Sequence, residues 1–265
     1  MNTLANPPIQ IRQIGALTLQ VYPTAEDVAI AASSEARKIL GLAVERRGEA
    51  NAVFATGRSQ KQCLDNLTHP GRQALNWEKI TGFHLDEYLG IAANHPASFR
   101  HYLKARLTSK VPLRRFYEIS GDGRLPLEIC KHYEAQLRDR TLDLCFLGVG
   151  NNGHLAFNDP AVADFDDPQW VKLVRLDEQN RLQQLNSTAF QTLEAVPQYA
   201  FTLTLSAISS IQQNLCIAFG TGKASIVNQL LTGPISASCP ASILRQIPRA
   251  KLLIDRSAAS LFLGE

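Results

Sequence analysis

Short apolar segments alternate along the chain with longer amphipathic ones. The short segments are rich in β-branched and aromatic residues and end at glycine or polar residues, which indicates strands that are buried on both faces. The strands predicted from this pattern cover residues 17–21, 51–55, 80–85, 142–149, 171–176, 201–205, 215–219 and 252–254.

The amphipathic segments between these strands predict helices. Thr24 with Asp27 is a typical helix start, and the apolar residues that follow recur three and four positions apart. Pro96 in the 95–99 loop suits the first turn of another helix, which we expect to end near residue 107. Further helices are predicted over residues 61–67, 127–137, 177–184, 224–231 and 241–244.

Strands and helices alternate over the whole length, which predicts an α/β fold. We expect a doubly wound, mainly parallel sheet with helices on both faces, a Rossmann-like three-layer sandwich. Residues 1–16 contain two adjacent prolines and predict an irregular lead-in, so that 17–21 would be an edge strand. No repeat or low-complexity linker divides the chain, and residues 1–265 are predicted to form one domain.

Composition narrows the class of protein further. A net charge of +3 is too small for a surface that binds nucleic acid, and no apolar run approaches the roughly 18 residues of a membrane helix. The N-terminal segment lacks the apolar core of a signal peptide. The five cysteines form no C-x-x-C pair, which indicates reduced thiols and predicts a cytoplasmic protein.

The most informative segment is the end of the strand predicted over 142–149. Gly148, Gly150 and Gly153 allow sharp turns there, and His154 and Asp159 follow. Ligands of α/β proteins bind at the carboxyl ends of strands, so a histidine and a carboxylate in this position are candidates for proton transfer. The alternative for the histidine is a buried core residue bonded to the backbone.

Residues 148–153 also match the G-x-G-x-x-G pattern of dinucleotide-binding proteins. That pattern is informative only where a helix follows it and completes a βαβ unit. The Asn-Asp-Pro sequence at 158–160 interrupts any such helix within two turns. A nicotinamide cofactor is therefore not predicted.

Three further segments carry groups suited to binding an anion. Thr56, Gly57 and Ser59 lie between a predicted strand and a predicted helix, where free backbone N–H groups and the helix dipole attract phosphate. The alternative for the serine is a simple N-cap. Lys223 follows a similar glycine turn, and Arg181 lies on a predicted polar helix.

Asp86 and Glu87 directly follow the strand predicted over 80–85. If the extended backbone continues, adjacent side chains point to opposite faces, so one carboxylate can face a cleft while the other is structural or solvated. Elsewhere no residues have metal-ligand spacing, and no G-x-S-x-G elbow offers a serine nucleophile. Cys239 has no histidine near it in sequence and is interpreted as a structural loop cysteine.

Together these segments resemble the glucosamine-6-phosphate deaminase family. The similarity runs from about the first predicted strand to the last, in the family's order and spacing. Its most specific pieces are FHLDEYLG (83–90), HPASF (95–99) and LGVGNNGHLAFNDP (147–160), supported by ATGRSQ (55–60), GTGKA (220–224) and GPISASCPASIL (233–244).

The resemblance implies a reaction in amino-sugar catabolism. Glucosamine 6-phosphate and water would give fructose 6-phosphate and ammonia by aldose–ketose isomerisation, without a metal, nicotinamide or pyridoxal cofactor. The implied partner is a small hexosamine phosphate, with neither nucleic acid nor membrane involved. A homo-oligomer is compatible with the sequence, which fixes neither the oligomeric state nor gluco against galacto configuration.

The resemblance also implies catalytic roles. Asp86 would move a proton between C2 and C1, His154 would open the sugar ring, and Asp159 and Asn152 would hold the imidazole. Asp159 stands where familiar members carry glutamate, which shortens its reach by one methylene. Asn152 stands where many carry aspartate, so it can hold the ring by a hydrogen bond but not by charge.

A second implied group of residues would bind the phosphate and the rest of the substrate. These residues are Thr56, Gly57, Ser59, Arg181 and Lys223. Arg58 stands in the same loop where family members carry a small residue, so it would either tighten the anion site or crowd it.

Two other functions share this scaffold. A 6-phosphogluconolactonase would have the Gly-His strand end, but lactonases lack the Asp-Glu-Tyr segment found at 86–88. A non-catalytic sugar-phosphate sensor usually carries a helix-turn-helix, for which the residues before Leu17 are too few. The deaminase is therefore the favoured hypothesis.

Overall fold

The computed structural model describes residues 5–70, 75–187 and 190–264, and within them eleven strands form two sheets. The strands are β1 (Gln10–Ile14), β2 (Leu17–Tyr22), β3 (Ala50–Phe54), β4 (Ile80–His84), β5 (Asp86–Tyr88), β6 (Arg115–Tyr117), β7 (Leu144–Gly148), β8 (Val171–Arg175), β9 (Tyr199–Leu203), β10 (Asn214–Ala218) and β11 (Ala250–Asp255). The α-helices are α1 (Ala25–Arg47), α2 (Arg58–Leu67), α3 (Phe99–Leu103), α4 (Pro126–Arg138), α5 (Glu178–Ser187), α6 (Leu205–Ser210), α7 (Ala224–Thr232) and α8 (Arg256–Leu263).

The larger sheet has eight strands in the order β1-β2-β11-β10-β7-β3-β4-β6. Every neighbouring pair is parallel except β1 and β2, so the predicted mainly parallel α/β fold is confirmed. From β3 the chain moves outward to β4 and β6, then returns to β7 and continues the other way. The strand order therefore reverses between β3 and β7, which is where open α/β sheets bind ligands.

The core of this sheet explains its apolar strands. Both faces of β3 and β7 are covered, and side chains such as Phe54 and Phe146 are completely buried. Their rings stack with centroids 5.2 Å apart, across the pair of strands that meets at the reversal point. Burial of this kind stabilises the folded state by about 2 kcal/mol per large side chain and fixes the strand ends in position.

The start of α1 follows the predicted cap. The side-chain oxygen of Thr24 accepts a hydrogen bond from the backbone N–H of Asp27 at 3.1 Å, and its hydroxyl donates to the Asp27 carboxylate at 2.6 Å. At the other end, Gly48 adopts a left-handed conformation with φ of 77° and ends the helix.

The lead-in was predicted wrongly. Residues 10–14 form β1, an antiparallel edge strand that pairs with β2 from Gln10 against Val21 to Ile14 against Leu17. Its residues are half-buried or exposed, so they lack the apolar run used to find buried strands. The edge position belongs to β1, and β2 lies inside the sheet.

A second difference is the smaller sheet, β5-β9-β8, which is antiparallel throughout. The pattern of apolar residues located the strands near 171–176 and 201–205 but carries no information on strand direction. The chain leaves β4 at His84 and enters β5 at Asp86, so the two sheets meet beside this acidic pair. The strand β6 and the helices α6 and α8 were also not predicted.

No helix among the described residues combines the length and the apolar character that crossing a bilayer requires.

Candidate functional site

A cleft of about 610 Å³ opens at the reversal point of the larger sheet. Its walls come from the carboxyl ends of four adjacent strands, β4, β3, β7 and β10. The lining segments are residues 55–59, 85–86, 148–151 and 217–220, joined by Phe99, His154, Ala156, Phe157, Gln184 and Lys223. Four distant parts of the sequence therefore share one cavity.

Asp86 faces this cleft at the start of β5. Its side chain is 6% exposed, and among the described residues no hydrogen-bond partner reaches its Oδ1 atom. Burial, and then repulsion by the neighbouring Glu87, raise the pKa of Asp86 well above its ordinary value. A buried carboxyl with a free oxygen and a raised pKa is suited to accept and return a proton.

The Glu87 side chain points away from the cleft. The alternation of side chains along a strand predicted this for one of the two carboxylates. Glu87 accepts hydrogen bonds from the Ser98 hydroxyl at 2.7 Å and from the backbone N–H groups of Phe99 and Arg100 at 3.1 and 3.0 Å. These donors lie at the N-terminus of α3, where the helix dipole favours a negative charge. Glu87 therefore anchors the loop that brings Phe99 to the cleft.

His154 lines the cleft from the loop after β7 and is 7% exposed. Its Nδ1 atom is 3.0 Å from Oδ1 of Asp159. The ring lies against the Cα atom of Gly150, where any Cβ atom would overlap the imidazole. The alternative of a core histidine is therefore not what the structure shows, because the ring lines the cleft.

Asn152 connects to both members of this pair without lining the cleft. Its Oδ1 atom accepts a hydrogen bond from the backbone N–H of His154 at 3.1 Å, and its Nδ2 atom donates to Asp159 at 3.0 Å. Burial of the Asp159 carboxylate acts to raise its pKa, but the His154 imidazole and the amides of Asn152 and Asn180 outweigh burial. The pKa of Asp159 is thus below its ordinary value, and the group is held as a carboxylate.

The cleft also carries hydrogen-bond donors and positive charge. Thr56, Gly57 and Ser59 line it at the start of α2, and no side chain caps this helix N-terminus. The alternative of Ser59 as a simple N-cap is therefore wrong, since Gly57 occupies the cap position. Lys223 lines the same cleft, with its Nζ atom 2.6 Å from Oδ1 of Asn151.

The structure does not bring Arg181 to the cleft, and its predicted contact with an anion has to be corrected. Its guanidinium donates hydrogen bonds to the backbone carbonyls of Leu193 and Val196, the latter at 3.1 Å. The side chain of the preceding residue, Asn180, donates to Asp159 in the loop after β7 instead. One helix position is a rotation of about 100°, so a prediction of the helix alone cannot decide which side chain faces the site.

Two site residues of the same helix were not predicted from the sequence. Asn180 contacts Asp159, and Gln184 lines the cleft. They are four positions apart and share one helical face, which is the only signal that the sequence offered.

The G-x-G-x-x-G segment is followed by turns and not by a helix, so no βαβ dinucleotide unit forms over residues 148–170. Within the described parts of the chain, no group of three or more His, Cys, Asp or Glu side chains could hold a metal ion.

Comparisons with known proteins agree on the family of this chain. The family model for glucosamine-6-phosphate isomerases/6-phosphogluconolactonase matches residues 23–253. The glucosamine-6-phosphate deaminase of Listeria monocytogenes serotype 4a (strain HCC23) is 30% identical over 233 residues, which are 88% of this chain and 96% of that protein. The glucosamine-6-phosphate deaminase of Oenococcus oeni (strain ATCC BAA-331 / PSU-1) is 31% identical over 208 residues, 78% of this chain and 85% of that protein.

Among solved structures, a monomeric glucosamine-6-phosphate deaminase matches with a TM-score of 0.85 and 28% identity, covering 92% of this chain and 99% of that one. The 6-phosphogluconolactonase from Trypanosoma brucei matches with a TM-score of 0.75 at 16% identity, covering 95% and 99%, which shows a common fold. The resemblance found in the motifs is confirmed, and the chain belongs to the family of glucosamine-6-phosphate isomerases and 6-phosphogluconolactonases.

Proposed function

We propose that the protein converts glucosamine 6-phosphate and water to fructose 6-phosphate and ammonia. The observation that carries this proposal is that Asp86 and His154 line the same cleft as Ser59 and Lys223. The cleft thus offers two proton-transfer groups and an anion site to the same small molecule. Each of these four residues lies beyond the carboxyl end of a different strand. The strands are β4 for Asp86, β7 for His154, β3 for Ser59 and β10 for Lys223.

The phosphate would bind where the free N–H groups at the start of α2 meet the hydroxyls of Thr56 and Ser59. A helix N-terminus attracts a dianion, and Lys223 adds a full positive charge. Burial lowers the pKa of Lys223, and a bound phosphate would favour its charged form. The phosphate would thereby place the sugar carbons near Asp86 and His154.

His154 would open the sugar ring by moving a proton between the anomeric hydroxyl and the ring oxygen. An imidazole is suited to this step because it donates and accepts protons near neutrality. Asp159 at 3.0 Å favours the tautomer with the proton on Nδ1, which leaves the Nε2 lone pair for the substrate.

Asp86 would take the proton from C2 of the open-chain amino aldehyde and return it to C1. The product of this transfer is the C2 imine of fructose 6-phosphate. Water adds to that imine and ammonia leaves, so that one water is consumed for each ammonia released. A single carboxyl serves both halves of the transfer because C1 and C2 are adjacent and Asp86, which lines the cleft, would meet both from one side of the opened chain.

The hydrolysis of 6-phosphogluconolactone needs no proton transfer between carbons, and Asp86 would have no task in it. The test is therefore to give the purified protein glucosamine 6-phosphate and 6-phosphogluconolactone in parallel assays of ammonia release and lactone hydrolysis. We expect ammonia release, with little lactone hydrolysis. Lactone hydrolysis without ammonia release would contradict the proposal, and binding of a sugar phosphate without either reaction would indicate a sensor.

Two further proposals accompany this one. All five cysteines are buried free thiols, which supports the expectation of a reducing compartment such as the cytoplasm. We also keep the expectation that the chain acts as one domain, because the cleft draws on segments from residue 55 to residue 223.

A further inference from the structure

Helix α5 contacts Asp159, in the loop after β7, through one buried side-chain amide. The side chain of Asn180 is 1% exposed, and its Nδ2 atom donates to Oδ1 and Oδ2 of Asp159, at 2.9 Å in both cases. Among the described residues, no other side chain donates to Oδ2, whereas Oδ1 also has Asn152 and His154 beside it. Asn180 therefore holds both oxygens of the Asp159 carboxylate.

The amide of Asn180 is itself held in place from two sides. The backbone N–H of Asn180 donates to Oδ1 of Asp177 at 2.6 Å, which fixes the first turn of α5. Its Oδ1 atom accepts a hydrogen bond from Nε2 of Gln184 at 3.1 Å. The orientation of the amide is thus set, with its nitrogen toward Asp159 and its oxygen toward Gln184.

Gln184 extends this series of hydrogen bonds to strand β5. Its Oε1 atom accepts a hydrogen bond from the Tyr88 hydroxyl at 2.7 Å. Tyr88 is completely buried and lies two residues after Asp86 on β5. A continuous series of hydrogen bonds therefore runs from the strand of Asp86 through α5 to the carboxylate beside His154.

This arrangement restricts one rotation in particular. A carboxylate that turns part of the way about its Cβ–Cγ bond takes both of its oxygens out of line with Nδ1 of His154, and the Asn180 amide opposes such a turn because it bonds to both oxygens. Loss of Asn180 would leave Oδ2 buried without a donor and would free the rotation. The imidazole would then lose the fixed acceptor that selects its tautomer.

We propose that Asn180 is a positioning residue for catalysis, which acts through Asp159 to hold His154 in one tautomer and one orientation. It does not touch the sugar. The inference rests on the proposed function only for its effect on rate, because the state of the His154 ring can be measured without any substrate.

The experiment compares Asn180→Ala and Asn180→Ser with Gln179→Ala. Gln179 is an exposed amide on the same turn of α5, so its substitution is a matched control. Each variant is labelled with ¹⁵N in its six histidine rings, and the signals of His154 are assigned by loss in His154→Gln. Thermal unfolding is followed in parallel, and kcat and KM are measured for glucosamine 6-phosphate.

For the Asn180 variants we expect the His154 ring signals to move from a single Nδ1-protonated form toward a mixture of tautomers. We also expect kcat to fall by roughly 10- to 100-fold while KM changes less than about twofold. Gln179→Ala should match the wild type in both measurements. The serine variant keeps a small polar side chain, so it serves if the alanine variant does not fold.

Unchanged His154 signals in a folded Asn180 variant would overturn the inference, even if kcat fell, because the loss would then be structural. If the ring signals shift but the wild type releases no ammonia, the positioning role stands and the proposed function fails.

Discussion

Asp86 and Glu87 are adjacent in sequence and both buried, but they have opposite hydrogen-bonding environments. Three residues of the α3 segment donate hydrogen bonds to Glu87, whereas Asp86 lines the cleft and its buried Oδ1 atom has no partner among the described residues. The paired carboxylate anchors a loop, and the unpaired one is left for chemistry. The unusual environment of Asp86 leads directly to two predictions.

The first prediction concerns the pH dependence of activity. Burial and the neighbouring Glu87 raise the pKa of Asp86, and the proposed base must be deprotonated to accept the C2 proton. We therefore expect kcat/KM to increase with pH through the raised pKa of Asp86, so that the acid limb lies well above the ordinary carboxyl range near pH 4. A rate profile from pH 4 to 9 measures this limb, and a limb centred near pH 4 would contradict the assignment.

The second prediction concerns stability. A group whose folded-state pKa is raised destabilises the fold above its unfolded pKa, and the destabilisation is complete above the folded pKa. Asp86→Asn should therefore raise the unfolding temperature at neutral and higher pH, with the gain disappearing as the pH falls toward 4. Calorimetry of both proteins at several pH values tests this. A variant that is less stable than the wild type at pH 8 would show that the ionised carboxylate stabilises the fold.

The third prediction uses the contact between Gly150 and His154. A Cβ atom at residue 150 would overlap the imidazole ring, so Gly150→Ala must displace the ring. We expect kcat to fall by about 100-fold while the protein remains folded. Gly41→Ala is the matched control, because a Cβ atom in that helix meets nothing within 4 Å. Normal activity in Gly150→Ala would mean that the position of the ring is unimportant.

The fourth prediction separates two arginines. Arg58 lines the cleft beside Gly57 and Ser59, whereas Arg181 bonds to backbone carbonyls elsewhere. Arg58→Ala should raise KM for the sugar phosphate by about tenfold with little change in stability. Arg181→Ala should instead lower the free energy of unfolding by about 1–3 kcal/mol, since it leaves carbonyls without donors.

The control for this pair is Lys61→Ala, which removes a half-exposed charge from the same helix as Arg58. Steady-state kinetics and chemical denaturation of the three variants distinguish binding from stability. A raised KM in Arg181→Ala with unchanged stability would restore the original prediction for that residue.

The sequence was sufficient to predict those parts of the site that depend on local pattern. The alternation at 86–87 indicated that one carboxylate would face a cleft, and the glycines around His154 indicated a strand end that binds a ligand. Both predictions use the geometry of one strand and the general rule for α/β sheets.

The parts that were missed depend on how separate elements pack. Asn180 and Arg181 are neighbours on α5, and only the rotation of that helix against the β7 loop decides that the amide meets Asp159. The strand β1 lacks an apolar face, and strand direction in the smaller sheet leaves no trace in the pattern of apolar residues. Such features follow from tertiary contacts and not from local preference.

The central claim is that Asp86 transfers the proton between C2 and C1. Its most direct test is the rate of ammonia release from glucosamine 6-phosphate by Asp86→Asn, measured beside the affinity of the same variant for inorganic phosphate. The account predicts a fall in kcat of about 100-fold or more with phosphate affinity unchanged, because Ser59 and Lys223, which are proposed to bind the phosphate, are left intact. Ammonia release at the wild-type rate would contradict it.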